Sequence, residues 1–99
     1  MKDFYTYYVY ILLCSDSTYY VGVTNNLDRR ISEHNLGINK ESYTHTRRPV
    51  RLVWFGDFNN INNAIAFEKQ IKKWSKKKKE SLINNDWHTI SKLSKKKFN

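Results

Sequence analysis

Cysteine is nearly absent. Cys14 stands alone, so no intrachain disulfide can form and no second thiol sits at metal-ligand spacing; a reducing compartment, the cytoplasm by default, is the expected setting. Long apolar runs are missing too. No stretch could cross a bilayer, and the first residues lack the basic segment, apolar run and small-residue cleavage site of a secretory signal, so neither a membrane-spanning nor a secreted protein is expected. Acidic residues are few, nine against eighteen lysines and arginines, for a formal net charge of +9. That surplus exceeds what solubility needs and suits a polyanionic partner, with nucleic acid ahead of an anionic membrane surface. At 99 residues and 39% apolar content, the chain can build one modest core and no second domain.

What is present is strand chemistry first and helix chemistry later. Residues Phe4 to Leu13 are almost wholly aromatic, β-branched or aliphatic, which predicts a strand buried on both faces. Ser15, Asp16 and Ser17 make a polar turn, and Thr18 to Val23 resumes strand composition. The two strands pair as a hairpin, although its turn lacks the Asn-Gly or Asp-Gly signal. Thr24, Asn25 and Asn26 offer caps for a helix from Leu27, with Leu27 and Ile31 as its apolar stripe and Gly37 as a left-handed stop. Residues 38–49 are polar, basic and aperiodic, and read as a loop. Val50 to Phe55 predicts a third strand, closed by Gly56 and the asparagines after it. From Ala64, the residues Ala64, Phe67, Ile71 and Trp74 recur at helical spacing with lysines in other directions, and Ser75 can cap a short last helix from Lys76 to Ile83. The expectation is an α+β fold in the order ββαβαα, a small three-stranded antiparallel sheet flanked by three helices over residues 1–86, with a basic tail over 87–99.

Within that frame a few polar side chains converge. Tyr8, Tyr10 and Leu12 share one face of their strand and Tyr20 shares a face with Gly22, so two phenols can meet across the hairpin. Arg30 and His34, four apart on a helix, project side by side. A guanidinium grips phosphate oxygens with a planar fork, and an imidazole exchanges a proton near neutrality. Glu68 lies between Ala64 and Ile71 on the core-facing stripe, an unusual place for a charge without a task or a partner.

Tyr8-Val9-Tyr10, followed ten residues later by Tyr20-Val21-Gly22, resembles the paired motifs of the GIY-YIG nuclease superfamily. Residues Leu27 to His34 look like its first helix, Phe67-Glu68-Lys69 like its second. Tyr43-Thr44 and Arg47-Arg48-Pro49-Val50 look like a loop of its small stand-alone members, so the resemblance covers about Tyr7 to Ile83; four motifs in order are far more specific than one. Tyr8 departs from the name-giving glycine, as an aromatic often does in those small members, and valines replace both isoleucines. The resemblance implies a metal-dependent endonuclease acting on DNA, or on RNA, and most generally on structured nucleic acid. Tyr10 would be the general base or its relay, Tyr20 would orient the water or phosphate, and Arg30 would neutralise developing charge. His34 would move protons, and Glu68 would hold one divalent ion, Mg²⁺ or Mn²⁺. A tyrosine is a poor base at neutral pH, so the site is expected to lower the pKa of Tyr10 through the metal, Arg30 or other cations. The family's further asparagine would be Asn84 or Asn85.

Each residue also has a plainer reading. Strand tyrosines usually pack, as expected of Tyr5, Tyr7 or Tyr19, and a glutamate flanked by lysines usually forms ion pairs. Cys14 is expected to be buried and inert, Trp54, Trp74 and Trp87 to be core, and His88 to be an ordinary surface histidine. Arg29, His45, Arg47, Arg48, Lys72 and Lys76 are the candidates for phosphate contact; the lysines at 76–79 serve equally well as a solvated face. The rival functions are a non-catalytic nucleic-acid-binding module on the same fold and, on charge alone, a basic membrane-surface or ribosome-associated protein. A monomer is the default.

Overall fold

A computed structural model gives the structure of residues 5–85; Phe4, Trp87, His88 and the expected basic tail lie outside the described residues. The elements are β1 (Tyr7–Leu13), β2 (Tyr19–Thr24), α1 (Leu27–Leu36), a 3-10 turn (His45–Arg47), β3 (Arg51–Phe58), α2 (Ile61–Lys72) and α3 (Lys76–Ile83). They form the expected three-stranded antiparallel sheet, in the order β2-β1-β3, with three helices. No helix among the described residues is long and apolar enough to cross a membrane.

β1 is central, and its unbroken apolarity follows from that position. Val9 and Ile11 point into a core shared with Val21 and, from α2, α3 and the turn between them, with Ala64, Ile71, Trp74 and Leu82. Tyr10 and Leu12 point the other way, into a smaller core with Cys14, Val50 and the α1 residues Leu27 and Ile31. The sheet is therefore a middle layer between α1 and the α2–α3 pair, and period-2 alternation delivers two cores from one strand. In this register Tyr10 stands opposite Gly22 on β2 and Phe55 on β3.

The hairpin turn works without an Asn-Gly pair. Ser17 takes the left-handed conformation (φ 68°), and Asp16 Oδ1 accepts from Thr18 N at 3.1 Å and Thr18 Oγ1 at 2.6 Å. The largest departures from the sequence reading are at three element ends. β1 begins at Tyr7, and Tyr5, offered as a core residue, is exposed because it precedes the paired segment. β3 does not close at Gly56 but runs to Phe58, since Gly56 pairs with Val9 and Phe58 with Tyr7 along the full length of β1. α2 starts at Ile61, ahead of Ala64, because the Asn60 side chain accepts from the backbone N–H groups of Asn62 and Asn63 and so caps an earlier turn.

The segment 38–49 is irregular apart from its 3-10 turn, yet it is stapled at several points. Arg47 Nε donates to Asp16 Oδ2 at 3.0 Å and Arg47 Nη1 to the Tyr43 carbonyl at 2.7 Å, with the guanidinium lying over the Tyr43 ring. Arg48 Nε donates to the His45 carbonyl at 2.7 Å. Gly37, at φ 69°, ends α1 by donating back to the carbonyls of Glu33 and His34. A side chain there would strike the Arg48 guanidinium as well as strain the backbone. Asn35 completes the attachment: its Nδ2 donates to the Val50 carbonyl at 3.1 Å and its Oδ1 accepts from Val50 N at 2.8 Å.

That reciprocal pair imitates a rung of sheet at the start of β3. Asn35→Ala leaves both Val50 groups without these partners and should lower unfolding stability by about 1–3 kcal/mol. Urea denaturation followed by circular dichroism measures this; an unchanged midpoint would mean that the staple contributes nothing.

Candidate active site

β1, β2, α1 and the 38–49 loop meet around Tyr10. Its ring is 2% exposed, and its phenol oxygen lies 3.0 Å from His34 Nε2. Gly22 makes room for it: a Cβ at Gly22 would stand 2.5 Å from the Tyr10 oxygen. The glycine after the second tyrosine and valine thus has a steric reason in this fold. Tyr20, diagonal to Tyr10 across the hairpin, brings its ring to 6.3 Å from that of Tyr10 and 5.1 Å from the imidazole of His34.

On α1, His34 faces inward and Arg30 lies one turn before it. Both line a cavity of about 100 Å³, together with Tyr20, Glu33, Ser42 and Thr44. Arg30 Nε is buried and has no hydrogen-bond acceptor; Glu33 Oε1, at 3.8 Å, is its ion-pair neighbour. The far side of the imidazole is fixed by the loop, with His34 Nδ1 at 2.7 Å from Thr44 Oγ1 and Thr44 Oγ1 at 3.1 Å from Ser42 Oγ.

Burial dominates the proton equilibria here. It is the largest influence pushing the Tyr10 phenol well above its usual range; Tyr20 adds to the rise, the positive Arg30 opposes it, and the negative Glu68 and Glu33 raise it further. Arg30 acts on this phenol in the expected, lowering sense, but the desolvation of an enclosed ring outweighs one half-exposed guanidinium. His34 is held below the ordinary imidazole range, first by burial and then by Arg30, with Glu33 acting in the opposite sense. At neutral pH the pair is therefore a protonated phenol and an uncharged imidazole.

Glu68 sits apart from the cavity lining. It is 8% exposed, on the α2 layer across the sheet from α1, and it pairs with Lys72 one turn later. Its charge nevertheless registers at the Tyr10 phenol. Of the five residues singled out from the sequence, Tyr20, Arg30 and His34 line one cavity, Tyr10 reaches it through His34, and Glu68 lies within electrostatic reach. The residues considered for phosphate contact are dispersed. Arg29 is exposed on α1, Lys76 is exposed at the start of α3, and Lys72 engages Glu68. Arg47 and Arg48 make the loop contacts already described, and His45 Nδ1 is buried without a partner. Lys78, in the lysine run, is buried with its ammonium over the Trp74 ring. Thr44 and Ser42 had no residue-level signal in the sequence, because nothing in the loop's composition says which hydroxyl will meet an imidazole on the preceding helix.

A doubly buried strand, a glycine cradling a phenol and an Arg-His pair over it define a class of protein: the chain belongs to the GIY-YIG family, whose model, described as the GIY-YIG catalytic domain, matches residues 6–81. Among its relatives, a UPF0213 protein of Syntrophus aciditrophicus is 44% identical over 80% of this chain and 91% of its own. Another, from Lactococcus lactis, is 47% identical over 81% of this chain and 77% of its own. The solution structure of a UPF0213 protein from Bacillus halodurans superposes with a TM-score of 0.52 at 40% identity, covering 80% of this chain and 83% of the other. That of an E. faecalis protein superposes with a TM-score of 0.59 at 33% identity, covering 90% and 93%.

Gly22→Ala places a methyl against the Tyr10 oxygen and should displace the phenol from His34 at a stability cost of about 1–3 kcal/mol; loss of the Tyr10–His34 contact would be visible as shifted imidazole resonances. The depressed imidazole makes a separate expectation. Above the unfolded-state pKa, near 6.5, His34 is neutral in both states and costs nothing. As pH falls through that value the unfolded chain takes up a proton that the native site refuses, so stability should drop and then level off below the folded pKa. Urea midpoints against pH, with His34→Gln losing this slope, measure it.

Proposed function

We propose that this protein is a metal-dependent endonuclease that hydrolyses phosphodiester bonds in DNA or structured nucleic acid. The observation that supports this most is the gathering of Tyr20, Arg30 and His34 around one cavity, with the Tyr10 phenol hydrogen-bonded to His34. The cavity has room for a small tetrahedral anion, and Arg30 brings to it a guanidinium whose Nε has no hydrogen-bond acceptor. Arg30 grips a non-bridging phosphate oxygen and neutralises the charge that develops as water adds to phosphorus. Once substrate binding admits a water beside the Tyr10 oxygen, which is enclosed in the free protein, the water proton passes to that oxygen as the Tyr10 proton passes to Nε2 of His34. The imidazolium so formed returns a proton to the leaving oxygen, so that a phenol too weak a base by itself works through the imidazole behind it. One P–O bond forms, one breaks, and Tyr20 orients the water or the phosphate. Exposed Arg29 and Lys76 meet flanking phosphates of the strand.

The residues present fit a divalent ion. Among the described residues no three His, Cys, Asp or Glu side chains form a closed cage, and Glu68 is a single buried carboxylate with Lys72 as its counter-ion. A lone hard oxygen donor suits Mg²⁺, which retains several waters and takes one or two carboxylates plus phosphate oxygens. Glu68 would be the residue to hold such an ion. When bound, that ion supplies Lewis-acid stabilisation to the reacting phosphate.

The test is incubation of the purified protein with single-stranded, duplex and branched DNA in Mg²⁺, Mn²⁺ or chelator. Nicking should require the metal and fall by about 10²–10³ or more in Glu68→Ala and Arg30→Ala proteins that melt like the wild type. Salt-sensitive binding with no cleavage of any substrate would replace this reading with that of a non-catalytic nucleic-acid-binding module.

A further inference from the structure

The geometry points to Thr44 as a positioning residue that holds His34 in one proton arrangement, with hydrogen on Nδ1 and a bare Nε2 facing Tyr10. Its purpose rests on the nuclease reading above; the hydrogen-bond argument for it does not.

A neutral imidazole carries one hydrogen and one lone pair, so the partners of its two nitrogens cannot be assigned independently. Burial and the neighbouring Arg30 keep His34 uncharged. Its Nε2 meets the Tyr10 oxygen at 3.0 Å and its Nδ1 meets Thr44 Oγ1 at 2.7 Å. Two arrangements satisfy both contacts. In one, Thr44 donates to Nδ1 and Nε2–H donates to Tyr10, leaving the phenol hydrogen to find another acceptor. Tyr10 is 2% exposed, and among the described residues its oxygen makes no other hydrogen bond. That arrangement strands a buried donor, which is costly.

The other arrangement strands nothing. Tyr10 donates to Nε2, Nδ1–H donates to Thr44 Oγ1, and Thr44 turns its own hydrogen to Ser42 Oγ at 3.1 Å. Ser42 lines the cavity and is only partly buried. Thr44 is itself immobilised, 1% exposed, with its carbonyl accepting from Arg47 N at 2.9 Å and Arg47 clasped between Asp16 and the Tyr43 carbonyl. A base oriented by a third group is a recurring device for activating a hydroxyl. A hydroxyl in that third place, unlike a carboxylate, orients the ring without adding a negative charge, so His34 stays neutral until the Tyr10 proton arrives.

Long-range proton–nitrogen correlation spectra of the nitrogen-15-labelled protein, recorded above the His34 titration, read the tautomer directly and need no substrate. Wild type should show a protonated Nδ1 and an unprotonated Nε2; the opposite tautomer, or averaging between the two, overturns the inference. Thr44→Val should lose this preference and, in the nicking assay, at least about tenfold in rate, while Thr44→Ser restores both. A valine protein that keeps the wild-type tautomer also overturns it. Should the valine protein not fold, Thr44→Ala takes its place, and the wild-type spectrum decides the tautomer in either case. A wild-type protein that cuts nothing but shows the Nδ1–H tautomer sinks the nuclease reading and leaves the positioning role standing; a protein that cuts with the other tautomer does the reverse.

Discussion

The phenol of Tyr10 is sealed inside the molecule, and much of the architecture follows from the need to satisfy it. A tyrosine on a strand buried on both faces can release its apolar ring to a core without difficulty, but its hydroxyl needs a partner within reach. The chain provides one by laying α1 across that face of the sheet so that His34 meets the hydroxyl. It provides the space through Gly22, whose bare backbone accepts the ring. Remove either and the phenol is left without its partner or without room. The same burial that stabilises the fold also suppresses the phenol's ionisation, so any proton transfer from Tyr10 depends on the imidazole beside it.

Much of the positive charge near this site is not held in reserve for a partner. Arg47 and Arg48 spend their donors on Asp16 and on backbone carbonyls, fixing an irregular loop that has few backbone bonds of its own. Lys72 neutralises a buried carboxylate and Lys78 lies over Trp74. Arg30 is the contrast, because it lines the cavity and its buried Nε has no hydrogen-bond acceptor. A net charge of +9 is therefore a poor guide to which cations can meet a polyanion; the arginine left unsatisfied is a better one.

The fold was readable because its signals are local and redundant. The continuous apolar run of β1, the caps at Asn26 and Ser75, and the left-handed Gly37 each act within a few residues. Two of the boundaries that moved did so for tertiary reasons: β3 extends as far as β1 offers partners, and Tyr5 falls outside the paired segment; the start of α2 moved because of the local cap at Asn60. The site was readable in part. Helical spacing aligned Arg30 with His34, and strand alternation aligned Tyr10 with Gly22 in a hairpin register. Spacing could not say that Glu68 would sit on the opposite layer from His34, nor that Asn35 would bond to the start of β3.

Residue order by itself determined the elements, the two-sided burial of β1 and the helical face shared by Arg30 and His34, because these are periodicities of backbone geometry. Only the tertiary structure decided the proton chemistry. Whether a phenol is a base or a donor, whether an imidazole is charged, and which hydroxyl meets its second nitrogen all depend on enclosure from water and on approaches between Tyr10, His34 and Thr44 that chain spacing does not encode. Desolvation acts through the folded surroundings as a whole, and it comes into being only when the layers close.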